Sequence, residues 1–406
     1  MKQKGQKSKW FQGGSLYSII ILLGVVGVFF FFAYFVIPTV APSTYRAGGS
    51  VGAADMPPED IVPKPVVFVA THVKTPEPLK AIYMSSWVAG TSRIREPLVQ
   101  LIEDTELNAI VIDIKDYTGR ISFNPEDPTL MAIGSGENRI SDVKEFIQSL
   151  HEKNIYVIGR IAVFQDPYFV KLHPEASVKK ESDKTTAWKD YKGISWMDAG
   201  SKEVWEYTVE IGNEAYRVGF DELNFDYIRF PSDGNMRDIY YPHSDGKNKS
   251  EVLEEFFSYL HDAFGPKKIP ISADLFGMTT TNTDDLNIGQ VLEKALPYFD
   301  FIAPMVYPSH YPPGFMGFKN PAAKPYEVVF HSMEKAAERA STTPLKLRPW
   351  LQDFDLGATY TADMVRAQMK ATYDAGLTSW MLWDASNRYT KDALLPESIG
   401  PGASAE

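Results

Sequence analysis

With 406 residues, 44% of them hydrophobic, the chain is excluded from the intrinsically disordered class and can bury the core of one barrel-sized domain or two ordinary ones. A formal net charge of −11 argues against nucleic acid as a partner, and the absence of cysteine removes disulfides. The only charges in the first 54 residues are basic (Lys2, Lys4, Lys7, Lys9 and Arg46), so the remainder is more acidic than the whole.

Taken in chain order, residues 1–16 are polar and basic. Tyr17 to Ile37 then reads YSIIILLGVVGVFFFFAYFVI, 21 residues without a formal charge. At 1.5 Å per residue this run crosses ~30 Å of hydrocarbon and predicts one transmembrane helix over 17–37. Four lysines precede it, so the positive-inside rule places the N-terminus in the cytoplasm and everything after Ile37 outside the cell membrane. A cleaved signal peptide is the alternative, because Pro38 to Ala41 offers small residues, but the apolar run exceeds the ~7 to 15 residues of such signals. Residues 38–78 are rich in Pro, Ala, Gly and Val and read as an extended linker. Within it VVFVATHV (Val66 to Val73) suits an edge strand. Residues 398–406 read as a flexible tail.

From 79 to 397, eight short apolar runs alternate with amphipathic stretches. The runs are AIYMSSW (81–87), AIVIDIK (109–115), IYVIGRIAVF (155–164), ELNFDYIRF (222–230), IPISADLF (269–276), FDFIAPMVY (299–307), LRPWLQD (347–353) and SWMLWD (379–384). Helical spacing lies between them, as in 95–103, 143–153, 204–218, 252–264 and 362–375. Eight strands each followed by a helix predict an α/β fold, the (β/α)8 TIM barrel, with a doubly wound sheet as the alternative.

In such a barrel the active site lies at the C-terminal ends of the strands. Those ends supply Asp113 and Lys115, Arg160, then Glu222, Asn224, Asp226 and Arg229, then Asp274, Tyr307, Asp353, Trp383 and Asp384. Strand alternation puts Glu222, Asn224 and Asp226 on the inner face and Leu223, Phe225 and Tyr227 against the helices. A buried Glu222 needs a cation, for which Arg160 and Lys115 are the candidates. Asp226, nearest the top, is placed to reach a substrate. Asp274 is placed to face it across a bound bond, unless it merely caps the following helix. Asp113 and Lys115 suit a salt-bridged pair supporting Asp226.

Two carboxylates across a cleft are what glycosidic hydrolysis requires: one protonates the leaving oxygen, and the other attacks the anomeric carbon or activates water. Arg160, Asn224, Arg229, Tyr307, Asp353, Trp383 and Asp384, with Asp113 and Lys115, are the candidate substrate-binding groups. Rim aromatics, including Trp87, Trp196, Tyr227, Tyr311 and Trp350, suit stacking on sugar rings. Long segments after the third, fourth and sixth runs are expected to wall the cleft. The seven histidines form no HxH or HExxH pattern and no phosphate loop occurs, so no metal or cofactor is expected. A non-catalytic, glycan-binding surface barrel is the competing reading.

AIYMSSWVAGT (81–91), NAIVIDIKDYTG (108–119), FDELNFDYIRFPSDG (220–234), SADLFG (272–277) and MVYPSHY (305–311) together resemble a bacterial glycoside hydrolase family long catalogued as a domain of unknown function. The resemblance covers about Lys80 to Leu395. It implies a barrel similar to the α-amylase and α-galactosidase superfamily, in which a fourth-strand aspartate is the nucleophile of retaining hydrolysis, a role that falls on Asp226. Amylase-like barrels take the acid/base from the fifth strand, here Asp274. Galactosidase-like barrels take it from the sixth, where this chain has Met305 and Tyr307. Asp353 occupies the place of the amylase seventh-strand aspartate, and Asn224 replaces the arginine two residues before the nucleophile. The function expected is a membrane-anchored extracellular hydrolase of an envelope or capsular polysaccharide.

Overall fold

The computed structural model of the protein describes residues 68–396. The transmembrane helix expected at 17–37, most of the linker and the tail lie outside the described residues. Among the described residues no helix is long and apolar enough to cross a membrane.

Eight parallel strands close into a barrel in sequence order. They are β1 (Lys80–Met84), β2 (Ala109–Lys115), β3 (Tyr156–Ala162), β4 (Glu222–Asp226), β5 (Ile271–Phe276), β6 (Phe301–Met305), β7 (Trp350–Gln352) and β8 (Trp380–Trp383). Seven lie within the runs expected from the sequence, and β1 begins one residue before its run of 81–87. The connecting helices are α1 (Ser92–Glu103), α2 (Val143–Glu152), α3 (Lys202–Val218), α4 (Lys249–Phe264), the single turn α5 (Leu292–Ala295), α6 (Pro325–Ala340) and α7 (Ala362–Asp374). Among the described residues β8 is followed only by a one-turn 3-10 segment, Lys391–Ala393, so the expected eighth helix is not matched.

Local signals set these boundaries. Asn248 caps α4 by accepting from the Ser250 N–H, and Thr361 caps α7 by accepting from the Met364 N–H. Gly219 closes α3 at φ +120°, where a side chain would be strained, and turns the chain directly into β4.

The core has two layers. Outward-facing strand residues such as Ile110, Ile161, Leu223, Phe225 and Leu275 pack with the helices in one large cluster. Inside the barrel, Ala81, Tyr83, Val111, Tyr156, Ile158, Ala303, Tyr307, Trp350 and Met381 form a second cluster. The inner layer is narrow and carries the polar groups that alternation placed there.

Residues 68–78 run beneath the barrel, and the described part of the edge strand expected at 66–73, residues 68–73, is not a strand. The Val73 N–H donates to Asp221 Oδ1 (2.7 Å), the Thr75 hydroxyl donates to Tyr156 Oη (2.9 Å), and His72 stacks on Tyr216 with ring centroids 3.9 Å apart. The end of the expected linker is therefore part of the barrel unit, which begins at Phe68. Asp221 anchors it, accepting also from the Val157 N–H (2.8 Å) and pairing with His151 Nε2 (2.9 Å). Burial pushes the Asp221 carboxyl up, but the hydrogen bonds from His151 and His72 outweigh it and hold the group below the usual carboxylate range.

Candidate active site

The β4 stretch carries its three acids at different levels. Asp221 lies beneath the barrel, Glu222 in its floor and Asp226 at its rim. Glu222 pairs with neither candidate cation expected from the sequence. Its Oε2 accepts from Arg348 Nη1 across the barrel (3.0 Å) and from the Tyr156 hydroxyl (3.0 Å), all three being buried. Arg348 lies two residues before β7, a partner that only closure of the barrel brings near.

Lys115 is also corrected. The register between β2 and β3 slips after Asp113, which pairs with Arg160, so that Lys115 pairs with Ile161. This bulge turns Lys115 out of the inner row. Its Nζ donates to Asp166 Oδ2 (2.6 Å) and to the Val163 carbonyl oxygen (3.2 Å), and it does not pair with Asp113 or line the cleft. Asp113 is held instead by the Tyr83 hydroxyl (2.6 Å) and Arg160 Nη1 (2.6 Å). It supports the cleft from below.

Arg160 is the hinge of this layer. Besides Asp113 it donates from Nε (3.0 Å) and Nη2 (2.6 Å) to Asp226 Oδ2. Asp226 Oδ1 accepts from the Tyr227 N–H (2.6 Å). Each of these hydrogen bonds comes from an N–H donor. Tyr227 adopts φ +53°, sparsely populated for a bulky residue, so β4 stops abruptly after Asp226 and its backbone N–H turns back onto that side chain.

Asp274 lies within β5 and does not cap a helix. The registers Asn224 to Ser272 and Phe225 to Ala273 set it beside Asp226 on the inner face of the neighbouring strand. Its Oδ1 accepts from Asn224 Nδ2 (2.9 Å) and Trp350 Nε1 (2.8 Å), while Oδ2 has no protein partner. Burial, and next the negative charge of Asp226, push its carboxyl up to about 8, against the opposing hydrogen bond from Asn224 and the charge of Arg160. At neutral pH it holds a proton. Asn224, expected to touch substrate, instead orients Asp274 and bonds Ser272 Oγ (3.1 Å).

Above the pair opens a cavity of about 420 Å³, within the range of small-molecule sites. β3, β4 and the segment directly after it supply Arg160, Asp226, Tyr227 and Arg229; β5 and the turn after it supply Asp274, Phe276, Gly277 and Met278. From β6 and its loop come Met305, Tyr307, His310 and Tyr311, and from β8 Trp383. A Cβ on Gly277 would lie 2.4 Å from the Met305 carbonyl oxygen and 2.7 Å from Tyr311 Oη, so the wall closes only around glycine. Trp383 stacks on Tyr83 (centroids 4.0 Å apart) and meets Trp350 edge-on (5.5 Å).

Of the residues expected from sequence, Asp226, Asp274, Arg160, Arg229, Tyr307 and Trp383 converge on this cavity. Asp353 and Asp384 do not. Asp353 binds the Thr390 N–H (2.9 Å) and hydroxyl (2.7 Å), and Asp384 binds Ser386 Oγ (2.8 Å), so both tie down the loop after β8. Phe276, Gly277 and Met278 carried no signal as cleft residues, while Arg348 and Asp166 were missed as ion-pair partners. The long segments after β3 and β4 contribute less than expected; of the three, the segment after β6 enters the wall. Among the described residues one group of side chains has metal-compatible spacing, His173, Glu175 and Glu203, and none of the three lines this cavity.

Two neighbouring carboxyl groups at the rim of a barrel of eight parallel strands fit a class, the glycoside hydrolases of TIM-barrel fold. The sequence from 81 to 389 matches the family described as "putative glycosyl hydrolase domain", and the chain belongs to that family. Among solved structures, a hypothetical protein from Ruminiclostridium thermocellum ATCC 27405 is 34% identical over 48% of this chain and 96% of its own, with a TM-score of 0.42. The glycoside hydrolase domain of PgaB (BpsB) from Bordetella bronchiseptica is 14% identical over 76% of this chain and 94% of its own, with a TM-score of 0.56. The α-L-fucosidase isoenzyme 2 from Paenibacillus thiaminolyticus is 12% identical over 78% of this chain and 48% of its own, with a TM-score of 0.52. The last two are likenesses of fold. No curated protein matches the chain.

Proposed function

We propose that the protein is a membrane-anchored extracellular glycoside hydrolase that cleaves an envelope or capsular polysaccharide, with Asp226 as nucleophile and Asp274 as general acid/base. The observation that carries this reading is the contrast between two neighbouring carboxyl groups. Asp226 is surrounded by N–H donors, whereas Asp274 is buried, pushed up to about 8 and free at Oδ2. Environments that drive two carboxyls apart assign acid and nucleophile.

In the first step the Asp274 proton passes to the glycosidic oxygen as the bond to the anomeric carbon breaks. An oxygen of Asp226 forms a bond to that carbon. In the second step Asp274, now ionised, takes a proton from water, whose oxygen displaces Asp226 and restores both groups. Arg160 holds Asp226 in aim through two hydrogen bonds, and the aromatic Trp383 offers a face to a sugar ring.

The test is incubation of the full chain with envelope polysaccharides and aryl glycosides beside Asp226→Asn, scoring released reducing ends. Release by the wild type and a loss of at least about a thousandfold in the variant are expected. Equal release by both would remove Asp226 from the mechanism. Binding without release by either would make the protein the surface glycan-binding barrel.

A further inference from the structure

Arg229 is a buried cation of the cleft that forms no ion pair among the described residues, although the charges of Asp226, Asp233 and Asp190 act on it at longer range. Its side chain is 8% exposed and lines the cleft. The guanidinium lies among three aromatic rings, 4.7 Å from the centroid of Phe276, 4.8 Å from Trp196 and 5.4 Å from Tyr227. Nη1 donates to the Phe230 carbonyl oxygen (3.0 Å) and to Ser232 Oγ (3.2 Å). Among the described residues Nε and Nη2 donate to no acceptor, and no carboxylate oxygen lies within 4.0 Å of the group. Of the other buried cations, Arg160 is answered by Asp113 and Asp226, Arg348 by Glu222 and Lys115 by Asp166, whereas Lys179, outside the cleft, donates to the Pro174 carbonyl oxygen.

Burying an unpaired charge is costly, and aromatic faces return only part of that cost. Asp226 acts on Arg229 at longer range but makes no ion pair with it, its oxygens lying beyond 4.0 Å and accepting from Arg160 and the Tyr227 N–H. The free Nε and Nη2 form one edge of the guanidinium, the edge that receives a planar carboxylate through two parallel N–H···O bonds. The chain's net charge of −11 opposes the approach of anionic polymers, but that repulsion is screened beyond ~8 to 10 Å at physiological salt, so a local cation decides the match. A neutral sugar seated here would desolvate Arg229 further and leave it unpaired, which is a penalty on the wrong substrate.

We propose that Arg229 is a specificity determinant that grips a carboxylate carried by the sugar, so that the substrate is an acidic glycan with a uronic acid or another carboxyl-bearing residue in the cleft. The proposal rests on the reading of this cleft as a hydrolase site. Its test compares uronic-acid-containing envelope polysaccharides with the same polymers after carboxyl reduction, using the full chain, Arg229→Gln and Arg229→Lys.

The wild type is expected to favour the acidic polymer in kcat/KM by at least about tenfold. Arg229→Gln is expected to lower the acidic rate by about 10- to 100-fold, with a much smaller loss on the reduced polymer, as charge-assisted bonds of ~1.5 to 3 kcal/mol imply. Arg229→Lys, which keeps the charge without the fork, is expected to fall between. Equal or faster cleavage of the reduced polymer by the wild type overturns the proposal while leaving the hydrolase reading intact. A lowered melting temperature in Arg229→Gln with equal losses on both polymers also overturns it, since Arg229 would then be structural. Should no protein cleave either polymer, the hydrolase reading fails by itself, and calorimetric titration with glucuronate and glucose decides the proposal. Glucuronate binding that Arg229→Gln abolishes sustains it, and no preference for glucuronate overturns it.

Discussion

The proton on Asp274 links catalysis to stability at the scale of one residue. Burial and the neighbouring Asp226 charge raise this carboxyl to about 8 in the folded chain, against an ordinary value near 3.8. Arg160 from β3, Asn224 from β4 and Trp350 from β7 face it and pull the other way or orient it. Because the folded value is the higher, the group's stabilising contribution is full below about pH 4 and is lost as pH rises through about 8. Across that window the folded state holds one more proton than the unfolded state, so this group alone lowers stability by ~1.4 kcal/mol per pH unit. Asp274→Asn keeps an oxygen for the Asn224 and Trp350 donors and cannot ionise. The variant is expected to be more stable than the wild type at pH 7 by about 2 to 4 kcal/mol in urea titrations, with a gap that narrows toward pH 4. A gap constant with pH would show that Asp274 is ionised throughout. In kinetics, kcat/KM of the wild type is expected to fall above about pH 8. Asp274→Asn is expected to spare aryl glycosides with good leaving groups far more than polysaccharide, and equal losses on both would remove the acid role.

At the scale of the strand, alternation made the inner row of β4 legible from sequence and stopped where geometry departed from it. Asp226, Asp274, Arg160 and Tyr307 were readable because each stands at the C-terminal end of an apolar run with period two. Lys115 was misplaced because a bulge after Asp113 breaks that period and nothing in AIVIDIK announces it. Glu222 was given the wrong partner because Arg348 lies 126 positions away and reaches it only across the closed barrel. Asp353 and Asp384 hold a loop whose path after β8 no periodicity encodes. The Glu222–Arg348 bridge invites a direct measurement. Arg348→Met alone leaves a buried carboxylate unanswered and is expected to cost ~3 to 5 kcal/mol in urea unfolding, whereas Glu222→Leu combined with Arg348→Met recovers most of that loss. Equal losses in the single and double variants would show that volume, and not charge, is what Arg348 supplies to the floor.

At the scale of the whole molecule, the proposed anchoring turns on how the chain enters the barrel and on the charges that flank the apolar run. Residues 68–78 are pinned under the barrel by Asp221 and Tyr156, so this part of the chain enters at the floor and none of it lines the cleft at the rim. The proposed anchor at 17–37 has 21 uncharged residues, enough for insertion that a single lipid chain does not match. Its four flanking lysines oppose translocation of the N-terminus, and the acidic remainder contributes little to orientation. Cells making the full chain are therefore expected to retain it in the membrane fraction through alkaline extraction, at the mass of the uncut chain. Protease added outside intact cells is expected to remove the barrel. A shorter chain starting near Ala41 and released to the medium would make 17–37 a cleaved signal, and a barrel protected from external protease would reverse the orientation. Either result would move the polysaccharide substrate, since the anchored reading confines it to glycans within reach of the outer face of the membrane.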